Sequence, residues 1–240
     1  MAEYDLSNIL VFDIETVSQE AEYSSTSERI QKLWDLKHER IGKEDEESPD
    51  SYERAGIYAE FGKVVCISAG IFIPNGGKYS LRTKSFYGDD EKKLLSDFSE
   101  MLNKSFYQAN KVLCGHNIRE FDVPYLCRRM LINGLKLPKI LQIQGKKPWE
   151  INQLDTMQMW KFGDFKAYTS LNLLAAVFDI PTPKDDIDGS MVGKVYWEEK
   201  DLNRIAVYCE KDVVTSAQVL LKLLGLPLIE SDQISSSSNL

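Results

Sequence analysis

Short apolar runs alternate with amphipathic stretches along most of the chain. Four runs rich in strand-forming residues are predicted to be strands: 9–14, 64–73, 79–87 and 111–114. Five stretches with apolar residues at helical spacing are predicted to be helices or helical turns: about 89–109, 120–133, 156–160, 170–178 and 198–224. This order of elements predicts an α/β fold with a mixed central sheet of about five strands flanked by helices.

Two segments differ in composition from the rest of the chain. Residues 18–62 separate the first two predicted strands and contain twelve acidic and six basic residues, and their apolar spacing predicts one amphipathic helix. Residues 231–240 are polar and are predicted to form a flexible tail. We therefore expect a single domain over residues 1–230, with a helical acidic insertion at 18–62 and the tail at 231–240.

The composition is that of a soluble globular protein, since 43% of the 240 residues are hydrophobic and 28% are charged. No apolar run reaches the roughly 18 residues of a membrane helix, and no basic and then apolar leader starts the chain. The four cysteines and two histidines have neither the spacing of a zinc site nor that of a disulfide framework. We therefore expect no membrane partner and a cytoplasmic location.

The charge is distributed unevenly. A formal net charge of −8 disfavours a nucleic-acid partner, because phosphate binding usually requires a basic surface. The insertion carries −6 of this charge, whereas residues 121–184 contain nine bases and five acids. A basic zone is therefore expected inside an acidic protein.

Two acids interrupt the end of the first apolar strand. Asp13 and Glu15 are two residues apart, so the period of a strand places both side chains on one face. Carboxylates that converge at the end of a strand in an α/β sheet favour Mg²⁺ or Mn²⁺. The alternative is that Asp13 only ends the strand and Glu15 begins a solvated loop.

A second group of polar residues follows the fourth predicted strand. Asn117 and Glu120 can act as helix caps, and Asp122 can be a favourable acid near a helix N-terminus. If this strand neighbours the first one in the sheet, Asp122 instead reaches the edge where Asp13 and Glu15 emerge.

A third pair lies on the last predicted helix. Tyr208 and Asp212 are four residues apart and share a face at the rim of the apolar stripe. A metal ligand must lie where the helix meets the edge of the sheet. For this helix taken alone, an amphipathic helix with a tyrosine at its boundary is the simpler interpretation.

Together the three elements resemble the DEDD (DnaQ-like) superfamily of 3′–5′ exonucleases, in the subclass whose third motif is Tyr-x-x-x-Asp. Residues 12–16 (FDIET) look like motif I, Asn117 with Phe121 and Asp122 looks like motif II, and residues 208–212 (YCEKD) look like motif III. The surrounding sequence is most similar to the proofreading exonuclease domain of family B DNA polymerases. The resemblance spans residues 9–224 and implies a ribonuclease-H-like fold.

The resemblance implies two divalent cations, Mg²⁺ or Mn²⁺, and gives each acid a role. Asp13 would bridge both cations, while Glu15 and Asp212 would hold the cation on the side of the attacking water. Asp122 would hold the other cation, and Tyr208 would orient the water. Cations about 3.5–4 Å apart would also attract the phosphate that bare carboxylates repel.

The same resemblance implies a partner and a reaction. The partner is a nucleic acid with a 3′ end, preferably single-stranded, and four residues are candidates for binding it: Thr16, His116, Asn117 and Phe121. Because no polymerase domain follows, we expect a stand-alone exonuclease that releases nucleoside 5′-monophosphates, from DNA rather than RNA. The alternatives are an exoribonuclease, a ribonuclease-H-type endonuclease, which the spacing of the third motif disfavours, and a non-catalytic binding module, which the complete set of carboxylates disfavours.

Several polar residues are expected to have structural roles. Asp155 is predicted to cap a helix rather than to bind a metal, and a hydrogen-bonded structural role is favoured over substrate contact for His116. Residues 184–190 (KDDIDGS) are predicted to form a solvated turn, because they lack the ligand spacing of a calcium loop.

Aromatic residues alternate with lysines between residues 161 and 168. Core packing is the favoured interpretation of Phe162, Phe165 and Tyr168, and stacking on unpaired bases beside Lys161 and Lys166 is the alternative. The acidic insertion is expected to restrict access to the site, because its charge repels phosphate.

Overall fold

The structure, a computed structural model, describes residues 4–42, 46–164, 166–182 and 187–238. Within these ranges six strands form one sheet in the order β5-β4-β1-β2-β3-β6. The strands are β1 Ile9–Ser18, β2 Gly62–Asn75, β3 Lys78–Tyr87, β4 Val112–Gly115, β5 Gln153–Asp155 and β6 Ile234–Ser236. β1 and β3 are antiparallel to β2, whereas β4 is parallel to both β1 and β5, and β6 is parallel to β3.

Helices cover both faces of the sheet. They are α1 Glu28–Ile41, α2 Glu91–Ser105, α3 Asp122–Ile132, α4 Thr156–Lys161, α5 Leu171–Val177, α6 Val192–Lys194 and α7 Leu202–Leu223. The α/β class and the mixed sheet flanked by helices are confirmed. No helix in the described ranges is long and apolar enough to cross a membrane.

The alternation of side chains along β1 divides the core. Leu10, Phe12 and Ile14 belong to one apolar cluster with residues of α2 and α3. Ile9 and Val11 point to the other face and belong to a cluster with residues of α7. Since strand side chains alternate with period two, the odd-numbered residues that follow also lie on the α7 face.

The acidic insertion folds around its own small core and docks against the end of β1. Trp34 is fully buried and packs edge-on against Tyr52. The hydroxyl of Tyr125 in α3 donates a hydrogen bond of 2.8 Å to the carbonyl of Gly56. A Cβ atom at Gly56 would lie 3.0 Å from the backbone of Val17, so a glycine permits this close approach. The insertion therefore lies beside the strand that carries Asp13 and Glu15.

The prediction of a flexible tail at 231–240 is wrong for residues 231–238. β6 pairs with the edge of β3 and supplies the sixth strand, where about five were expected. The Ser237 N–H donates to the Thr83 carbonyl at 2.9 Å, and the Ser238 hydroxyl donates to Glu210 at 2.9 Å. The polar composition of residues 231–238 did not indicate a strand. These residues nevertheless form one, because their serine hydroxyls and backbone groups hydrogen-bond to the exposed edge of β3 and to Glu210.

Candidate active site

Asp13 and Glu15 lie in the part of β1 that extends beyond its neighbour β4. The pairing with β4 reaches only Val11, and a bulge between Glu15 and Thr16 interrupts the pairing with β2. Both carboxylates are on the face that α7 covers. Asp13 is half-buried and Glu15 is 7% exposed, so Glu15 does not begin a solvated loop.

Asp122 reaches the same place from the start of α3. β4 ends at Gly115, where a Cβ atom would lie 2.6 Å from the Phe12 carbonyl oxygen, so glycine allows the chain to turn here. Asp122 is 3% exposed, and its Oδ1 accepts a hydrogen bond of 3.1 Å from the Ile14 N–H. The carboxylate therefore takes the place of the missing β4 partner beside β1.

Helix α7 brings the third set of side chains. Tyr208 and Asp212 occupy successive turns, and the Tyr208 hydroxyl is hydrogen-bonded to Asp212. Between them, Cys209 places its Sγ 3.6 Å from Asp13 Oδ2. Asp13, Glu15 and Cys209 each offer one potential ligand atom, and these three atoms lie within 4.8 Å of one another. Asp122 and Asp212 lie outside this group of three, but their negative charges act on both Asp13 and Glu15. Three elements that are distant in sequence thus bring acids to the end of β1.

The acids of this cluster hold their protons unusually tightly. Burial raises the pKa of Asp13 well above its ordinary value, and the negative charges of Asp122, Glu15 and Asp212 raise it further. Burial and the charge of Asp212 also raise the pKa of Glu15. For Asp122, burial outweighs the hydrogen bonds from backbone amides and raises the pKa to about 7. Such a cluster favours a compensating cation.

The donor set fits hard divalent cations. Carboxylate oxygens suit Mg²⁺ and Mn²⁺, whereas thiolate sulfur suits softer metals. Burial and a hydrogen bond with Cys66 raise the pKa of Cys209 well above its ordinary value, so its sulfur stays protonated at neutral pH. Burial, followed by the charge of Asp212, likewise raises the pKa of Tyr208, whose hydroxyl therefore stays neutral.

Asp155 caps a helix, as predicted, and also fixes the loop that precedes Asp122. Its carboxylate accepts hydrogen bonds from the backbone N–H groups of Met157 and Gln158 in the first turn of α4. It also accepts hydrogen bonds of 3.0 Å each from the backbone N–H groups of Asn117 and Arg119. Asn117 adopts the left-handed conformation with φ of 64°, so one buried acid holds a strained loop in place.

The four candidates for substrate binding differ in their surroundings. His116 has both ring nitrogens engaged, with the Thr156 hydroxyl and the Thr169 carbonyl at 2.9 Å each, as a hydrogen-bonded structural histidine would. Phe121 packs 5.4 Å from the ring of Tyr125, and Thr16 hydrogen-bonds to the same tyrosine.

Asn117 is the candidate with an unused polar atom. Its Nδ2 donates a hydrogen bond of 2.9 Å to the Tyr168 hydroxyl. Its Oδ1 is buried, and none of the residues that the structure describes donates a hydrogen bond to it. An unsatisfied buried acceptor in a strained loop is available for a ligand.

Two expectations for residues 121–184 are corrected. Core packing is wrong for Phe162 and Tyr168, which are 87% and 69% exposed, while Phe165 lies outside the described residues. Arg129 does not belong to a basic surface, because it is buried in an ion pair with Glu91.

The turn predicted at 184–190 is described only in part. Asp188 accepts hydrogen bonds from the backbone N–H and the hydroxyl of Ser190, which is typical of a tight turn. Residues 184–186 lie outside the described ranges.

Sequence reasoning missed Cys209 and did not place Tyr168 beside Asn117. The signal for Cys209 was its place between Tyr208 and Asp212, but there it also fits the apolar stripe of α7. Tyr168 contacts Asn117 across 51 residues of sequence, so local patterns do not reveal the pairing.

The chain is similar to several known proteins. It matches, over residues 57–227, a family described as predicted 3′–5′ exonucleases related to the exonuclease domain of PolB. The matched range includes Asp122, Tyr208 and Asp212, and it begins after Asp13 and Glu15. No curated protein matches the chain.

Three solved structures show distant similarity. A chain in the structure of the yeast NOT1 MIF4G domain co-crystallized with CAF1 is 14% identical, with 95% of this chain and 84% of that chain covered and a TM-score of 0.45. Product-bound exonuclease I is 11% identical, with 90% and 48% covered and a TM-score of 0.41. A chain in the ExoI/SSB-Ct complex is 11% identical, with 90% and 45% covered and a TM-score of 0.38. The chain thus spans about half the length of the two exonuclease I chains.

The family match covers well over half of the chain, including the second and third motifs. It confirms the resemblance to the exonuclease domain of family B polymerases that these motifs indicated. The protein therefore belongs to the family of predicted 3′–5′ exonucleases related to the exonuclease domain of PolB.

Proposed function

We propose that the protein is a 3′–5′ exonuclease that depends on two divalent cations and acts on single-stranded or frayed 3′ ends. The observation that carries this proposal is the meeting of four acids from three elements: Asp13, Glu15, Asp122 and Asp212. Their mutual repulsion and burial are costly to the fold unless cations neutralise them. A purely structural role does not explain why four acids converge at one end of β1.

The four acids would divide the cations between them. Asp13 would be shared, Glu15 and Asp212 would hold one cation, and Asp122 would hold the other. Bound there, the pair would supply a nucleophilic water at neutral pH and stabilise the charge on the leaving 3′ oxygen.

The neighbouring side chains position the reacting groups. The Tyr208 hydroxyl is neutral and hydrogen-bonded to Asp212, so it can hold the attacking water in line with the phosphorus. The buried Oδ1 of Asn117 can accept a hydrogen bond from a hydroxyl of the terminal nucleotide. Asp155 keeps the backbone of this loop fixed, which preserves the geometry through each turnover.

We propose DNA as the preferred substrate because the related domain in the family description is that of a DNA polymerase class. The products would be nucleoside 5′-monophosphates. Preference for RNA is the alternative outcome, since contacts at the 2′ position decide between the two sugars.

The proposal is tested with 5′-labelled single-stranded DNA and RNA of the same sequence, incubated with Mg²⁺, Mn²⁺ or EDTA. We expect a ladder shortening from the 3′ end of DNA with either cation and none with EDTA. Asp13→Asn should abolish the ladder, and Glu100→Gln, at an exposed acid of α2 outside both the site and the insertion, should leave it unchanged. Internal cuts, or a ladder that persists in EDTA, would refute the proposal.

A further inference from the structure

Two aromatic side chains in the segment between α4 and α5 lie outside the core. Phe162 is 87% exposed and Tyr168 is 69% exposed. Both follow α4, the helix that Asp155 caps beside the motif II loop. Burial stabilises a large apolar side chain by roughly 1.5–3 kcal/mol, and Phe162 forgoes almost all of this stabilisation.

The backbone at Phe162 is also unfavourable for a phenylalanine. Its φ is 45°, in the left-handed region that glycine adopts most easily, and glycine occupies the next position, Gly163. Phe162 is the C-cap of α4, where a left-handed residue ends the helix, but that role does not require an exposed aromatic ring. Strain of this kind is concentrated at sites that bind ligands.

Tyr168 connects this exposed surface to the active site. Its hydroxyl accepts the hydrogen bond from Asn117 Nδ2 at 2.9 Å. Burial of the hydroxyl raises the pKa of Tyr168, and the negative charges of Glu120, Asp155 and Asp122 raise it further, so the ring is within electrostatic reach of the acidic cluster.

Positive charge accompanies the two rings. The Lys161 Nζ lies 5.7 Å from the centre of the Tyr168 ring, and Lys166 is exposed. The one acid between them, Asp164, accepts a hydrogen bond from the Lys166 backbone N–H at 3.0 Å. Exposed rings combined with lysines are the usual means of binding unpaired bases and the phosphates between them.

We propose that Phe162 and Tyr168 form a stacking platform for the unpaired bases next to the 3′ end of a single-stranded nucleic acid. The platform would direct the strand toward the acidic cluster, with Lys161 beside a phosphate. This inference rests on the proposed function, because the platform feeds the proposed cleavage site. A surface for a second protein copy is the competing interpretation of exposed aromatic residues.

The test measures binding without catalysis. Fluorescence anisotropy in EDTA gives the Kd of 5′-labelled oligo(dT) and of the same strand with abasic sites at its three 3′-terminal positions. Removing one stacking ring should weaken oligo(dT) binding about 5- to 100-fold for Phe162→Ala and for Tyr168→Ala. Phe162→Trp should retain the affinity, and Phe162→Leu should not, because a leucine is apolar but does not stack.

Two comparisons separate stacking from general damage. Tyr107→Ala removes a ring that is 55% exposed at the end of α2 and should leave the Kd unchanged. Phe162→Gly relieves the strained φ, so it should raise the melting temperature or leave it unchanged while weakening oligo(dT) binding. On the abasic strand, wild type and Phe162→Ala should bind equally.

Each contrary result overturns the platform. Unchanged oligo(dT) affinity in Phe162→Ala and Tyr168→Ala would do so, as would an equal loss of affinity for the abasic strand. A dimer that Phe162→Ala converts to a monomer, with unchanged affinity, would identify a surface between copies. Absence of cleavage alongside ring-dependent binding would instead refute only the proposed nuclease activity.

Discussion

The acidic cluster predicts that removing one of its charges stabilises the metal-free protein. Asp122→Asn is the most informative change, because the Asn Oδ1 can still accept the hydrogen bond from the Ile14 N–H. The substitution nearly preserves the shape of a side chain that is 3% exposed and removes its ability to ionise, while an NH₂ group replaces one oxygen.

The magnitude follows from the pKa of Asp122, which burial raises from 3.8 to about 7. The folded state therefore binds this proton more tightly than the unfolded state does. The free energy of unfolding is therefore unaffected by Asp122 below about pH 4, and ionisation of Asp122 lowers it as the pH rises toward 7. At 1.36 kcal/mol per pKa unit, this loss reaches up to about 4 kcal/mol. Asn does not ionise, so the variant avoids this loss.

Thermal unfolding of the metal-free protein at pH 4 and pH 8 measures the effect. At pH 8 the free energy of unfolding of Asp122→Asn should exceed that of wild type by up to about 4 kcal/mol, or roughly 10 °C in melting temperature. The difference should vanish at pH 4. Saturating Mn²⁺ should stabilise wild type more than the variant, since ligands that bind the folded state raise its stability.

The control is Asp50→Asn, which neutralises an exposed acid and should show no such pH dependence. A difference of the same size at both pH values would show that the substitution acts through packing. No stabilisation at pH 8 would show that Asp122 is not a strained, ionised carboxylate, and the electrostatic account of the site would then be wrong.

Three further substitutions test other parts of the account. Asp13→Asn should abolish turnover while far-UV circular dichroism stays that of wild type; cleavage with unchanged Mn²⁺ dependence would contradict the shared-ligand role. Tyr208→Phe should lower turnover about 10² to 10⁴-fold with Mn²⁺ affinity retained, and full activity would leave Tyr208 a packing residue only. Neutralising the exposed acids Glu39, Glu47 and Glu53 of the insertion should tighten single-strand binding in 0.01 M salt. The gain in affinity should fade at 0.15 M, because added salt screens the charges. Equal affinity at low salt would place the insertion away from the nucleic acid.

Local chemistry made the central elements of the fold predictable. The apolar run of β1 indicated a buried strand, and its period of two placed Asp13 and Glu15 on one face, as the structure shows. The apolar stripe of α7 indicated the face that packs against the sheet, and Asp212 was expected at the rim of that face. These inferences depend only on neighbours along the chain, and for that reason they hold.

Features that depend on distant partners were not predictable. β5 is only three residues long, Gln153–Asp155, and is recognised as a strand through its pairing with β4. β6 consists of polar residues whose hydroxyls and backbone groups find partners on β3 and Glu210. Core packing was the favoured interpretation of Phe162 and Tyr168, with base stacking as the alternative, whereas both are exposed. The contact of Tyr168 with Asn117 joins residues 51 apart in sequence, which local patterns do not reveal.

The central claim is that the converging acids form a two-cation centre. Equilibrium dialysis against Mn²⁺ at pH 8, with a nucleoside 5′-monophosphate present, counts the cations bound per chain. The account predicts two in wild type and at most one weakly bound cation in Asp13→Asn, with wild-type binding in Asp50→Asn. Binding of no Mn²⁺ by wild type, or the same count in Asp13→Asn, would contradict it.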